Sequence, residues 1–154
     1  MTPRRLDTAA ATGKLRAMRR LLDELDRLGL VDADRFARDY AIQLIVERIV
    51  SQLVDLAASV NSHILAVETG APPPDVRRSF GAVASVGVIS EELASALAPS
   101  AGLRNVLVHA YVDLDVALLV AAVPLATEQY GEYVRQVARW LADRAEWSPG
   151  TALP

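Results

Sequence analysis

Four polar side chains interrupt an otherwise apolar stretch of the chain: Arg104, Asn105, His109 and Tyr111 within Arg104-Asn105-Val106-Leu107-Val108-His109-Ala110-Tyr111. On a helix advancing about 100° per residue, Tyr111 falls about 20° to one side of Arg104, and Asn105 and His109 fall about 100° and 140° to the other. The four share one side, and Leu103, Val106, Leu107 and Ala110 fill most of the rest. Asn105 and His109 are an i, i+4 pair, close enough for the amide to orient the imidazole. This set suits phosphodiester cleavage in RNA without a metal. The 2′-hydroxyl must lose a proton as it attacks phosphorus, and the leaving 5′-oxygen must gain one. A histidine can move a proton near neutral pH. An arginine can hold the phosphoryl oxygens, where charge develops, through paired hydrogen bonds. The products would be a 2′,3′-cyclic phosphate and a 5′-hydroxyl. One histidine serves only one of the two transfers. Tyr111, water or a residue of a second subunit must serve the other, and a twofold dimer that brings two such helices together would supply it.

The same residues also fit a structural polar layer in a helix bundle, with His109 hydrogen-bonded and Arg104 paired to an acid. Asp55 reads either as the acid that holds Arg104 or His109 or as a surface acid. His63, between Val60 and Ile64, reads as a satisfied structural histidine in preference to a catalytic one. Arg19-Arg20 and Arg77-Arg78 read as exposed faces, Arg48 either as an RNA-binding cation or, with Glu47, as a solvated or paired turn, and Trp140 and Trp147 as packing residues.

Helices must position these groups. Leu15, Met18, Leu22 and Leu25 recur at steps of three and four, which predicts a helix over Lys14–Leu28 that stops at a left-handed Gly29. Asp34 can cap one uninterrupted helix to Thr69, since neither Gly nor Pro breaks that span. Gly70 and Pro72-Pro73-Pro74 force an extended link. A helix then runs from Val76 to about Val86, and a short one follows Ser90 up to Pro99. Ser100 can cap the helix that carries the polar set, and Asp113 or Asp115 can cap a last helix to about Ala145, with a bend at Pro124. The reading is an all-α, up-and-down bundle around one long central helix. It forms a single domain over residues 1–147, followed by a loose tail over 148–154.

Composition agrees. The chain of 154 residues is 52% hydrophobic but only 5% aromatic, so its apolar content is mostly Ala, Leu and Val. That favours helices and allows a sizeable core. With no cysteine, neither a disulfide nor a thiolate nucleophile is available. Two histidines and no cysteine argue against a dedicated transition-metal site, and nothing implies a cofactor. The net charge of −3 excludes a general polycation, so attraction for RNA must be local. The basic N-terminus lacks the apolar stretch of a secretory signal, and Val116 to Ala126 is too short to span a bilayer. A soluble, cytoplasmic protein is expected.

The run Arg104 to Tyr111, followed by Asp113 and Asp115, resembles the signature of HEPN-domain proteins, and among them the HepT-like toxins. That signature is an arginine, four residues beginning with a polar one, a histidine, any residue and a tyrosine. Glu47-Arg48, Asp55 and His63-Ile64 resemble the family's second helix. Gly87-Val88-Ile89-Ser90, followed by acids and Leu93, fits as well, so the similarity spans roughly Leu15 to Ala138. Ser59 departs from it, since family members often carry an acid there. The resemblance implies a homodimeric, metal-independent endoribonuclease toxin with paired motifs at its interface. Arg104 and His109 would be catalytic, supported by Asn105, Tyr111 and Asp55, and cellular RNA including tRNA would be the target. It also implies a partner, an MntA-type nucleotidyltransferase antitoxin that silences the toxin by AMPylation of Tyr111 and can join it in a larger hetero-oligomer. The rival is a non-catalytic HEPN-like binding subunit of such a nucleotidyltransferase complex. A purely structural bundle would need neither a dimer nor the motif.

Overall fold

The computed structural model describes residues 5–109 and 112–146, and among them every regular element is a helix. In chain order these are α1 (Thr8–Leu28), α2 (Ala33–Arg38), α3 (Tyr40–Glu68), α4 (Val76–Ser85), α5 (Glu91–Leu97), α6 (Ser100–His109) and α7 (Val116–Glu146). The long helices α1, α3 and α7 pack on one another, and α4, α5 and α6 form a layer against α3 and α7. No helix among the described residues is long and apolar enough to cross a membrane.

The stripe predicted for α1 is its buried face: Leu15, Met18, Leu22 and Leu25 all lie in the core. They meet Leu53, Val60 and Ile64 of α3 and Tyr133, Val137 and Leu141 of α7 in a single apolar cluster. The helix begins six residues before the expected Lys14, because the Asp7 carboxylate accepts from Ala10 N and starts the turn there. Gly29 stops it at φ 71° and ψ −150°, a region open essentially to glycine alone, and not in the left-handed helical well.

The span 34–69 is not one helix. Asp39 adopts an extended conformation, its carboxylate accepts from Ala41 N, and it restarts the chain as α3. Asp32, not Asp34, caps α2. A break needs no Gly or Pro where an aspartate can satisfy the amides of the next turn. A long helix remains at the centre, but it begins at Tyr40. Its first turns leave Tyr40, Leu44 and Ile45 exposed, so the apolar pattern there does not face the core.

Asp75 caps α4, and Ser90 caps α5 where the short helix was expected to begin. Asp115 starts α7 by accepting from Ala117 N. The helix runs on through Pro124, which cannot donate to the Val120 carbonyl. His63 is satisfied structurally: its Nε2 accepts from Asp7 N at 2.9 Å and ties the start of α1 to α3. Trp140 is half-buried under the Arg144 guanidinium, 4.5 Å from its ring, and Arg144 also pairs with Glu68. Trp147 and the tail over 148–154 lie outside the described residues.

Candidate active site

The polar set begins on α6, and the start of α6 is fastened twice. The Pro99 carbonyl accepts from the amides of Gly102 and Leu103. The Ser100 hydroxyl, expected to cap the helix, instead donates back to the Leu97 carbonyl and lies 2.6 Å from the Tyr130 hydroxyl of α7. Tyr130 is buried, and burial above all pushes its phenol pKa well above the ordinary range. It therefore stays neutral as the hydrogen-bonding post for α6.

Arg104 extends from α6 to α3, where its Nε donates to Asp55 Oδ1 at 2.9 Å. With side chains 33% and 52% exposed, the pair adds at most about 1 kcal/mol of stability. Its effect is geometric. A carboxylate on Nε fixes the plane of the guanidinium and leaves the two terminal amino groups for another acceptor.

Beside this pair lies an open groove of about 510 Å³ walled by α3, α4 and α6. Asp55, Arg104 and Asn105 line it, together with Asp75, Val76 and Arg77 from the start of α4. Three of the predicted site residues thus come together. His109 does not join them. It is exposed at the last turn of α6 and does not line the groove. Among the described residues, no hydrogen bond joins Asn105 to His109, so the expected orienting contact is absent. Tyr111 lies outside the described residues.

The sequence reading missed what holds the groove's α4 wall. Tyr133 of α7 donates to Asn61 Oδ1 at 2.7 Å, Asn61 Nδ2 donates to Ser79 Oγ at 3.0 Å, and Ser79 Oγ donates to the Val76 carbonyl at 2.6 Å. All three side chains are buried. This chain of hydrogen bonds crosses from α7 through α3 into the first turn of α4, next to Arg77. A signal was available in Asn61, a lone amide next to Val60 on the apolar face that continues to Ile64.

Comparison with known proteins agrees with this architecture. The family described as HepT-like, Ribonuclease HepT-like, matches residues 18–137. A tRNA nuclease HepT from Aphanizomenon flos-aquae is 33% identical over 128 residues, covering 83% of this chain and 87% of that protein. An mRNA nuclease HepT from Shewanella oneidensis is 25% identical over 103 residues, covering 67% of this chain and 77% of the relative. Among solved structures, the tri-AMPylated HEPN toxin of Shewanella oneidensis, in complex with its MNT antitoxin, superposes with a TM-score of 0.74 at 22% identity. That match covers 84% of this chain and 97% of the toxin and is a likeness of fold.

Proposed function

This chain belongs to the HepT-like ribonuclease family, and from that premise we propose that it is the RNA-cleaving toxin of a toxin–antitoxin pair, working without a metal through Arg104 and His109. The observation that carries the reading is the Arg104 fork. It is held at Nε by Asp55 and lines an open groove, and among the described residues its terminal amino groups make no hydrogen bond. A phosphodiester seated there would have its non-bridging oxygens held as negative charge grows on them. His109 supplies one proton transfer, and the 2′-hydroxyl attacks to leave a 2′,3′-cyclic phosphate and a 5′-hydroxyl. The relatives named as tRNA and mRNA nucleases support RNA as the substrate class.

A single chain leaves His109 outside the groove, so the working unit is a homodimer in which two copies of α6 complete each other's sites. The face that fits this role lies beside α6. Leu118 and Leu125 of α7 are about half exposed and two turns apart, and an apolar groove including Leu103 and Val50 runs alongside them. Such a continuous exposed apolar face marks an association surface. The antitoxin is an MntA-type nucleotidyltransferase that adds AMP to Tyr111. The added phosphates would occupy Arg104 and exclude RNA. The toxin–antitoxin complex among the solved relatives supports that partner.

The test is RNA cleavage by purified protein in EDTA. The parent chain cuts and leaves cyclic-phosphate ends, whereas Arg104→Ala and His109→Ala fold normally and lose cleavage by at least about a hundredfold. A parent that binds the nucleotidyltransferase yet cuts no RNA would establish the binding-subunit reading.

A further inference from the structure

The groove in front of Arg104 does not end at α6. Asp75 and Arg77 line it, and both also line a second, wider basin of about 770 Å³ between α4 and α5. The walls of that basin include Arg78, Gly81, Ser85 and Ser95. Because they share these two wall residues at the start of α4, we treat the two depressions as one path.

The charges along this path differ in what they have left to offer. Asp55 is engaged by Arg104. Asp75 Oδ1 accepts from Arg78 N, and its Oδ2 lies 3.6 Å from Arg78 Nε. Glu91, on the α5 wall, sits in the first turn of its helix, where the dipole offsets part of its charge. Among the described residues Arg77 makes no ion pair. It is therefore the uncommitted cation next to the Arg104 site, in the turn whose Val76 carbonyl is fixed by Ser79.

We propose that this path is a binding track for the RNA strand flanking the scissile link, in which Arg77 holds the phosphodiester next to the one at Arg104. The inference rests on the ribonuclease reading. A guanidinium fork can take a phosphate through two parallel hydrogen bonds. A contact of this kind sets register and affinity without reading bases. Arg77 is thus a positioning residue for RNA longer than the reacting pair of nucleotides. Gly81 lines the basin, and a Cβ built there meets nothing within 4 Å, so a side chain at this position starts in open space at the basin wall.

The test uses two substrates. A fully 2′-O-methylated RNA oligonucleotide reads binding, because its blocked hydroxyls cannot attack. Unmodified oligonucleotides and a dinucleotide read cleavage. For the oligonucleotide, Arg77→Ala raises Kd and KM roughly five- to tenfold and leaves kcat within about twofold; the slope of log affinity against log salt falls by about 0.7. Gly81→Leu raises both constants at least about threefold by filling the path. Neither substitution affects the dinucleotide. Arg20→Ala removes the same charge from α1, which packs on α3 and α7, and leaves every readout unchanged. Unchanged Kd and salt slope in both track variants, or an equal loss on the dinucleotide, overturns the track. Binding that depends on Arg77 in a parent that cuts nothing overturns the ribonuclease reading and leaves the track standing. A parent that binds no RNA overturns both.

Discussion

Arg104 Nε and Asp55 Oδ1 meet at 2.9 Å although 49 residues separate them in the chain. The contact orients the guanidinium proposed to hold the scissile phosphate. Removing it frees a long side chain to sample other rotamers, so the loss falls on activity and not on folding. Asp55→Ala is expected to lower kcat/KM for RNA about tenfold, equivalent to about 1.4 kcal/mol of transition-state stabilisation. Unfolding free energy should change by less than about 0.5 kcal/mol, because the pair is substantially exposed. Asp55→Asn keeps an acceptor for Nε and should recover most of the rate. Full activity in Asp55→Ala would show that the groove positions Arg104 unaided.

What was legible in the sequence follows from which signals are local. Leu15, Met18, Leu22 and Leu25 could be read as a buried stripe because burial on a helix repeats with the helix period. The start of α1 could not, since Ala9, Ala10 and Ala11 favour helix without contrasting two faces. Asp39 was hidden for another reason. Its cap on Ala41 is a local contact, but an aspartate inside an apolar pattern that continues on both sides does not by itself announce a break. At the site, the residue types on α6 suggested the chemistry, and the family resemblance pointed to Asp55. That His109 would lie outside the groove was not legible, nor was the presence of Arg77 within it. Both depend on where the turn between α3 and α4 brings the first turn of α4 against α6.

The two buried tyrosines make stability fall at high pH. Burial raises the phenol pKa of both Tyr130 and Tyr133; the Ser100 hydrogen bond opposes the rise at Tyr130, while Asp55 and Tyr130 add to it at Tyr130 and Tyr133 respectively. In the unfolded chain each ionises near its ordinary value of about 10. Folded pKa values above unfolded ones mean that this stability is fully present below about pH 10 and is lost as pH rises beyond it. The slope is about 1.4 kcal/mol per pH unit for each tyrosine, or roughly 2.7 for the pair, until the folded groups ionise. Tyr133→Phe should halve that slope. It should also cost about 1–2 kcal/mol at neutral pH, because Asn61 loses its donor. Denaturant unfolding between pH 8 and 12 measures both effects, and an unchanged slope in the variant would show that Tyr133 does not ionise with unfolding.

The dimer can be tested at α7 without touching the motif. Leu118 and Leu125 are 49% and 52% exposed and point the same way two turns apart, so a charge there meets water in the monomer and an apolar surface in the proposed dimer. Leu125→Glu should leave helix content and thermal unfolding of the monomer nearly unchanged, because the position is already half solvated. Sedimentation should show the parent as a dimer and the variant shifted to monomer. Cleavage by the variant should fall in step with the lost dimer, and the activity of the parent per chain should drop on dilution through its dissociation range. That concentration dependence separates a shared site from a self-contained one, which would lose nothing on dilution. A monomeric parent with full, dilution-independent cleavage would place both proton transfers within one chain, and His109 would then have to swing toward the groove from the end of α6.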